Sequence, residues 1–164
     1  MNITLIGMPG SGKSTVGAKL AADTGMHFVD VDKVIIKKTG MLLSEIIARD
    51  GNDGFRQIEN RINAELECEN TVLAPGGSVI YGPEAMAHLR EISTVVYLKI
   101  DCLALQQRLG DLTARGVSMR PGQTFADLYN ERCPLYEKYA HVVIDTNKRT
   151  MHGVVKLVRE AVGV

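Results

Sequence analysis

The stretch Ile3 to Thr15, "ITLIGMPGSGKST", constrains this chain more than any other. A short apolar run ends at Gly7, a glycine-rich segment follows, and Lys13-Ser14-Thr15 leads into an apolar-periodic stretch. That order predicts a buried strand, a tight loop and a helix from Lys13 to Thr24, with Val16, Leu20 and Ala21 on one face and Gly25 as its stop. Gly7, Gly12, Lys13 and Ser14 fit G-x-x-x-x-G-K-[ST] without a gap. In such a loop the backbone N–H groups turn inward around phosphate oxygens, and the helix aims its positive end at the same point. The segment Gly10, Ser11, Gly12, Lys13, Ser14 and Thr15 is therefore the expected nucleotide cradle. Lys13 is expected to reach the β- and γ-phosphates, and Ser14 to ligate Mg²⁺ through its hydroxyl.

The rest of the chain continues the alternation. Strands are expected at 27–30, 71–74, 94–100 and 142–145, and helices at 33–38, 42–49, 55–68, 83–91, 102–109, 124–139 and 151–162, with Pro134 as a kink or break. Together with Ile3 to Ile6 this makes an α/β domain, a five-stranded parallel sheet sandwiched by helices. A length of 164 residues suits a single domain with a real core. The polar, glycine-containing stretch at about 110–124 has no period and is expected to act as a lid.

Composition narrows the partners. Nineteen basic and nineteen acidic side chains cancel, which argues against a nucleic-acid binder working by bulk charge. No apolar stretch is long enough to span a bilayer, the start of the chain has no leader pattern, and Cys68, Cys102 and Cys133 form no C-x-x-C. A cytoplasmic, monomeric enzyme with a small-molecule substrate, no nucleic acid and no membrane is the expectation. A hydrolytic switch is poorly supported, because Asn147-Lys148-Arg149-Thr150 lacks the aspartate of a guanine-recognition motif, and no strand ends in an Asp-Glu pair.

Four further segments suit a phosphotransferase. Asp30 and Asp32 lie two apart at the end of the second strand and share a direction if the chain stays extended. One can hold Mg²⁺ and the other can orient or deprotonate a hydroxyl; alternatively Asp32 caps the helix that follows. Arg56, read as lying in the first turn of a helix, is disfavoured there by the dipole unless it binds a carboxylate or pairs with Glu59. Gly76 and Gly77 permit close backbone approach to a ligand. Arg132 is a second guanidinium that can converge on the same anion, or else part of a solvated helix face.

These segments, in this order and spacing, resemble the shikimate kinase family: "GMPGSGKST", the D-x-D, "GFRQIE", the Gly-Gly turn, "R-x-P-L-Y" at Arg132 to Tyr136, and "DTN" at Asp145 to Asn147. The resemblance implies a P-loop fold of the nucleoside-monophosphate-kinase type with a lid, ATP and Mg²⁺, and a place in aromatic amino-acid biosynthesis. It implies that Asp30 sits near the metal and that Asp32 contacts the accepting hydroxyl. Arg56 and Arg132 would grip the acceptor's carboxylate, while Gly76 and Gly77 line its pocket. Arg108 would lie near the adenine, with Asn147 on the base's other side. Arg120, or else Arg115, would be the lid arginine facing the phosphates. Three places depart from the family: Pro75 replaces the first of three glycines with Ser78 following the pair, Ile36 stands where a glutamate is usual, and the lid is respaced. Shikimate is the leading acceptor. Homoserine, gluconate or a similar hydroxy acid, and a nucleotide-binding module without transfer, stay open.

Overall fold

A computed structural model describes residues 1–109 and 116–164. Five parallel strands, β1 (Ile3–Ile6), β2 (His27–Asp30), β3 (Thr71–Ala74), β4 (Thr94–Lys99) and β5 (Val142–Asp145), form one sheet in the order β2-β3-β1-β4-β5. β1 lies at the centre, with Ile3 beside Val72 of β3 on one side and Thr94 of β4 on the other. The chain builds outward from β1 first toward β2 and β3, then toward β4 and β5. The crevice at the carboxyl end of β1 is thus the topological switch point, where open α/β sheets take their ligands.

Seven α-helices cover the sheet among the described residues: α1 (Lys13–Thr24), α2 (Val31–Thr39), α3 (Leu43–Ala64), α4 (Pro83–Ile92), α5 (Cys102–Arg108), α6 (Phe125–Tyr139) and α7 (Met151–Val162). The core has two faces because β1 is buried on both. Ile3 and Leu5 pack with Val16 and Leu20 of α1 and with Val154, Val155 and Val158 of α7. Ile6 packs on the other face with Leu89 of α4, Tyr97 of β4 and Tyr136 of α6. Thr4 points to that face too, and its buried hydroxyl is satisfied by Ser93 Oγ at 2.6 Å. A third cluster joins Val31 and Ile35 of α2 to Ile46, Phe55 and Ile62 of α3.

Four sequence expectations shift. The helix expected from Lys33 begins at Val31, because Asp30 rather than Asp32 caps it: Asp30 Oδ1 accepts the Asp32 N–H at 3.1 Å. The helices expected at 42–49 and 55–68 meet without a loop as α3, bent at Gly51, where φ is 75° and ψ 176°. A short 3-10 helix at Gly77–Tyr81 follows the Gly-Gly turn, where no element was expected. Finally, α6 runs through Pro134 instead of breaking there. Leu128, Arg132 and Tyr136 are buried on α6, and their packing outweighs the hydrogen bond that proline removes.

No helix among the described residues is long and apolar enough to cross a membrane. Leu5 has no exposed surface, and Leu5→Ala is expected to cost about 2–5 kcal/mol. Urea unfolding checks this: the midpoint should fall while the slope stays that of the parent.

Candidate active site

The phosphate loop closes β1 into α1. Gly12 occupies the N-cap position with φ 96°, a left-handed conformation that a side chain resists, and no side chain caps the helix. The first N–H groups of α1 are therefore available to an anion. Lys13 folds over the loop and donates to Gly7 O at 2.8 Å and Met8 O at 2.9 Å. Burial pulls its ammonium down to about 8, against the opposing pull of Asp32. The Ser11 hydroxyl is buried with no hydrogen-bond partner among the described residues.

Asp30 and Asp32 do not share a strand face, because the chain turns helical between them. Each reaches the site by its own route. Asp30 Oδ2 accepts from Ser14 Oγ at 3.5 Å. Asp32, in the first turn of α2, lines a cavity of about 520 Å³ beside the phosphate loop, together with Lys13, Gly76, Gly77, Arg108 and Arg132. Burial first, and the neighbouring Asp30 second, push the Asp32 carboxyl up to about 6. Its Oδ1 is buried without a partner among the described residues.

Glu59 of α3 lines the same cavity and is only 2% exposed. The sequence offers it as one of two alternative partners for Arg56, but no ion pair joins the two among the described residues. Instead its Oε1 accepts the Ser78 hydroxyl at 2.5 Å, and its Oε2 is left unpartnered. Burial pushes its carboxyl up to about 7, partly offset by Ser78. Its helical spacing with Phe55 and Ile62, both buried on one face of α3, was the available signal. Gly76 sits against both carboxylates: a Cβ there would lie 2.8 Å from Asp32 Oδ1 and 3.0 Å from Glu59 Oε2.

Arg132 is 1% exposed, so it does not form part of a solvated helix face. Its Nη2 donates to Ser118 O at 2.8 Å, and Nη1 lies 3.0 Å from where a Gly77 Cβ would be. Gly77 O accepts the Tyr136 hydroxyl at 2.6 Å. Arg56 lies beyond the first turn after the Gly51 bend, so the dipole argument for it does not apply. Its guanidinium stacks on Tyr81, with Cζ 3.9 Å from the ring centroid. Tyr81 and Asn52 escaped the sequence reading. Asn52 accepts the Ser118 hydroxyl at 3.1 Å and donates to Met119 O, fixing that part of the chain over the cavity.

A second cleft, of about 280 Å³, opens between Gly10, Gly12 and Thr15 on one side and Arg108, Thr146 and Arg149 on the other. Arg108 is exposed and donates to Gly10 O at 3.3 Å. Asn147 does not line this cleft; it ties the turn after β5 to the start of α5 through Asp101, accepting from its N–H at 3.0 Å and donating to Oδ1 at 3.2 Å. Arg149, two residues on, lines it instead. Arg120 lies away from both cavities, its side chain 66% exposed and paired with Glu131 Oε1 at 3.1 Å. Arg115 and the first part of the expected lid fall outside the described residues.

A parallel sheet with a phosphate loop at its switch point and an acid-lined cavity beside that loop is the architecture of the P-loop small-molecule kinases. The shikimate kinase family model matches residues 9–162, and the chain belongs to that family. It is 39% identical over 160 residues to the shikimate kinase of Mycobacterium avium, covering 94% of this chain and 89% of that one. Its fold matches that of shikimate kinase from Acinetobacter baumannii in complex with shikimate, at a TM-score of 0.89 and 33% identity, over 99% of this chain and 93% of that one. Shikimate kinase from Aquifex aeolicus matches at a TM-score of 0.85 and 31% identity, over 99% and 96%.

The buried Glu59 carboxyl makes a pH signature. Its proton is held more tightly in the folded chain, at about 7, than at its ordinary value of 4.5. The stability it contributes is therefore full below about pH 4.5 and is lost as pH rises through about 7. Glu59→Gln keeps the shape and removes the charge. Relative to the parent, the variant should gain about 2–3 kcal/mol between pH 4.5 and 8. Urea unfolding at both pH values measures the difference.

Proposed function

We propose that this chain transfers the γ-phosphoryl group of ATP to a hydroxyl of shikimate, giving shikimate 3-phosphate. The observation that carries the reading is one cavity in which Lys13, Asp32 and Arg132 face the same space beside the phosphate loop. A carboxylic acid with a hydroxyl meets a guanidinium for its carboxylate and a carboxylate for its hydroxyl proton.

The donor would lie along α1's N-terminus, with its phosphates on the N–H groups of residues 10–15 and its base in the cleft between Arg108 and Arg149. Lys13, freed from Gly7 O and Met8 O, then neutralises charge that develops on the transferring group. Asp32 has an unpartnered oxygen inside the cavity and accepts the proton of the attacking hydroxyl. Arg56 and Arg132 hold the acceptor's carboxylate, and Gly76 and Gly77 let it approach the backbone. Ser118 and Val117 line the cavity, and closure there would exclude water and limit ATP hydrolysis. Arg120 would have to leave Glu131 to serve as the lid arginine.

Mg²⁺ fits the residues present. The Ser14 hydroxyl and the Asp30 carboxylate are hard oxygen donors 3.5 Å apart at the phosphate loop, and Mg²⁺ takes one or two such ligands together with phosphates and water. Ser14 and Asp30 would hold it, and it would supply positive charge against the charge of the donor's phosphates.

The acceptor is tested by coupled ADP release with ATP, Mg²⁺ and, in turn, shikimate, homoserine, gluconate or no acid. Stimulation by shikimate alone is the expected outcome; stimulation by another acid, or by none, overturns the reading. Lys13→Met should lower kcat by at least about 10²-fold, and Asp32→Asn by about 10²–10⁴-fold, with the fold retained by circular dichroism. Because the Asp32 carboxyl titrates at about 6 rather than at its ordinary value of 3.8, kcat/KM for the acceptor should fall tenfold per pH unit below about pH 6.

A further inference from the structure

Two guanidiniums beside one aromatic ring repel each other, and neither Arg56 nor Arg132 makes an ion pair with a carboxylate among the described residues. Both also leave Nε buried without a partner among those residues. What the two share is the ring of Tyr81. Arg56 Cζ lies 3.9 Å from its centroid and Arg132 Cζ 5.5 Å. Both are within the roughly 6 Å at which an aromatic face attracts a cation.

The ring is itself held. The Tyr81 hydroxyl donates to Glu131 Oε2 at 2.7 Å, and the same carboxylate accepts from Gln123 at 3.2 Å and pairs with Arg120. A carboxylate accepting from the phenol raises the electron density of the ring and so strengthens its hold on cations. Tyr81 ends the 3-10 helix that begins at Gly77, so one short element joins the ring to the Gly-Gly turn. Arg132 lines the cavity; Tyr81 does not, and Arg56 does not either, although its neighbour Phe55 does. The ring can therefore act on an acceptor only through the arginines.

We propose that Tyr81 is a positioning residue for the acceptor: its ring, anchored by Glu131, holds the Arg56 and Arg132 guanidiniums in place to receive one carboxylate. This rests on the reading of Arg56 and Arg132 as the carboxylate clamp. In the free protein the ring supplies the favourable electrostatics that two unpaired cations lack. When an acid binds, the clamp is already formed and little side-chain entropy remains to be lost.

Steady-state kinetics of Tyr81→Leu, Tyr81→Phe and Arg132→Lys, with shikimate and ATP varied in turn, test this. Tyr81→Leu removes the ring and should raise KM for shikimate about tenfold, leaving kcat and KM for ATP within about twofold. Tyr81→Phe keeps the ring without its anchor and should raise KM for shikimate about threefold. Arg132→Lys loses the bidentate fork and should raise it at least tenfold, by about the 1.4 kcal/mol or more that such a factor represents. An unchanged KM for shikimate in Tyr81→Leu, beside a raised one in Arg132→Lys, overturns the role of Tyr81 alone. Equal losses in kcat and in KM for ATP also overturn it, because they mark a scaffold defect. If Arg132→Lys leaves KM unchanged, the clamp reading falls and takes the proposal with it. Should Tyr81→Leu not fold, Tyr81→Phe decides, and a parental KM for shikimate in that variant overturns the anchored ring.

Discussion

The parallel pairing of β1 with β3 on one side and β4 on the other is the constraint on which the rest of this structure depends. A strand paired on both edges and buried on both faces must be apolar throughout, as Ile3, Leu5 and Ile6 are, with Thr4 satisfied by Ser93. Because the sheet grows in opposite directions from β1, its carboxyl end opens into a crevice. The loop that leaves β1 there has no side-chain cap at α1, so the helix presents bare N–H groups to that crevice. Sheet topology and helix termination place an anion site at one spot.

Around that spot the structure keeps unlike charges close without letting most of them pair. Asp32 and Glu59 crowd Gly76 and are both pushed toward protonation by burial. Lys13 is pulled down for the same reason, and Arg132 is buried against a backbone carbonyl. Among the described residues, Arg56 and Arg132 have an aromatic ring where a carboxylate would be expected, and Asp32 and Glu59 each keep an oxygen unpartnered. Such an arrangement holds solvation in reserve for something that enters. The desolvation of these groups costs stability, which the three packed apolar clusters offset.

The departures from the family pattern sit differently in this setting. Ser78 is turned toward Glu59, so its hydroxyl serves the cavity wall. Pro75 is buried directly after β3, at a place where a missing N–H leaves no strand hydrogen bond unmade within Thr71–Ala74. Gly76 and Gly77 keep the close approaches that their lack of a side chain allows.

Much of this was legible in the chain. Apolar period and glycine placement marked all five strands, and the phosphate loop was set by local spacing alone, because strand, loop and helix termini are contiguous in sequence. Asp32, Gly76, Gly77, Arg108 and Arg132 were singled out, and all line one cavity. Other features depended on how the elements end and pack. Asp30 rather than Asp32 caps α2 because the chain leaves β2 one residue sooner than extension would require. Pro134 stays helical because buried neighbours on α6 hold it. Glu59 becomes a buried carboxylate of the cavity wall only when Ser78, from nineteen residues away, closes on it, and Tyr81 meets Arg56 and Arg132 only when α3, α6 and the 3-10 helix converge. The sequence by itself determined the succession of strands and helices along the chain and the phosphate loop, because those rest on neighbours along the chain. Tertiary structure alone decided which charges are desolvated and what they face, because burial is a property of the assembled elements.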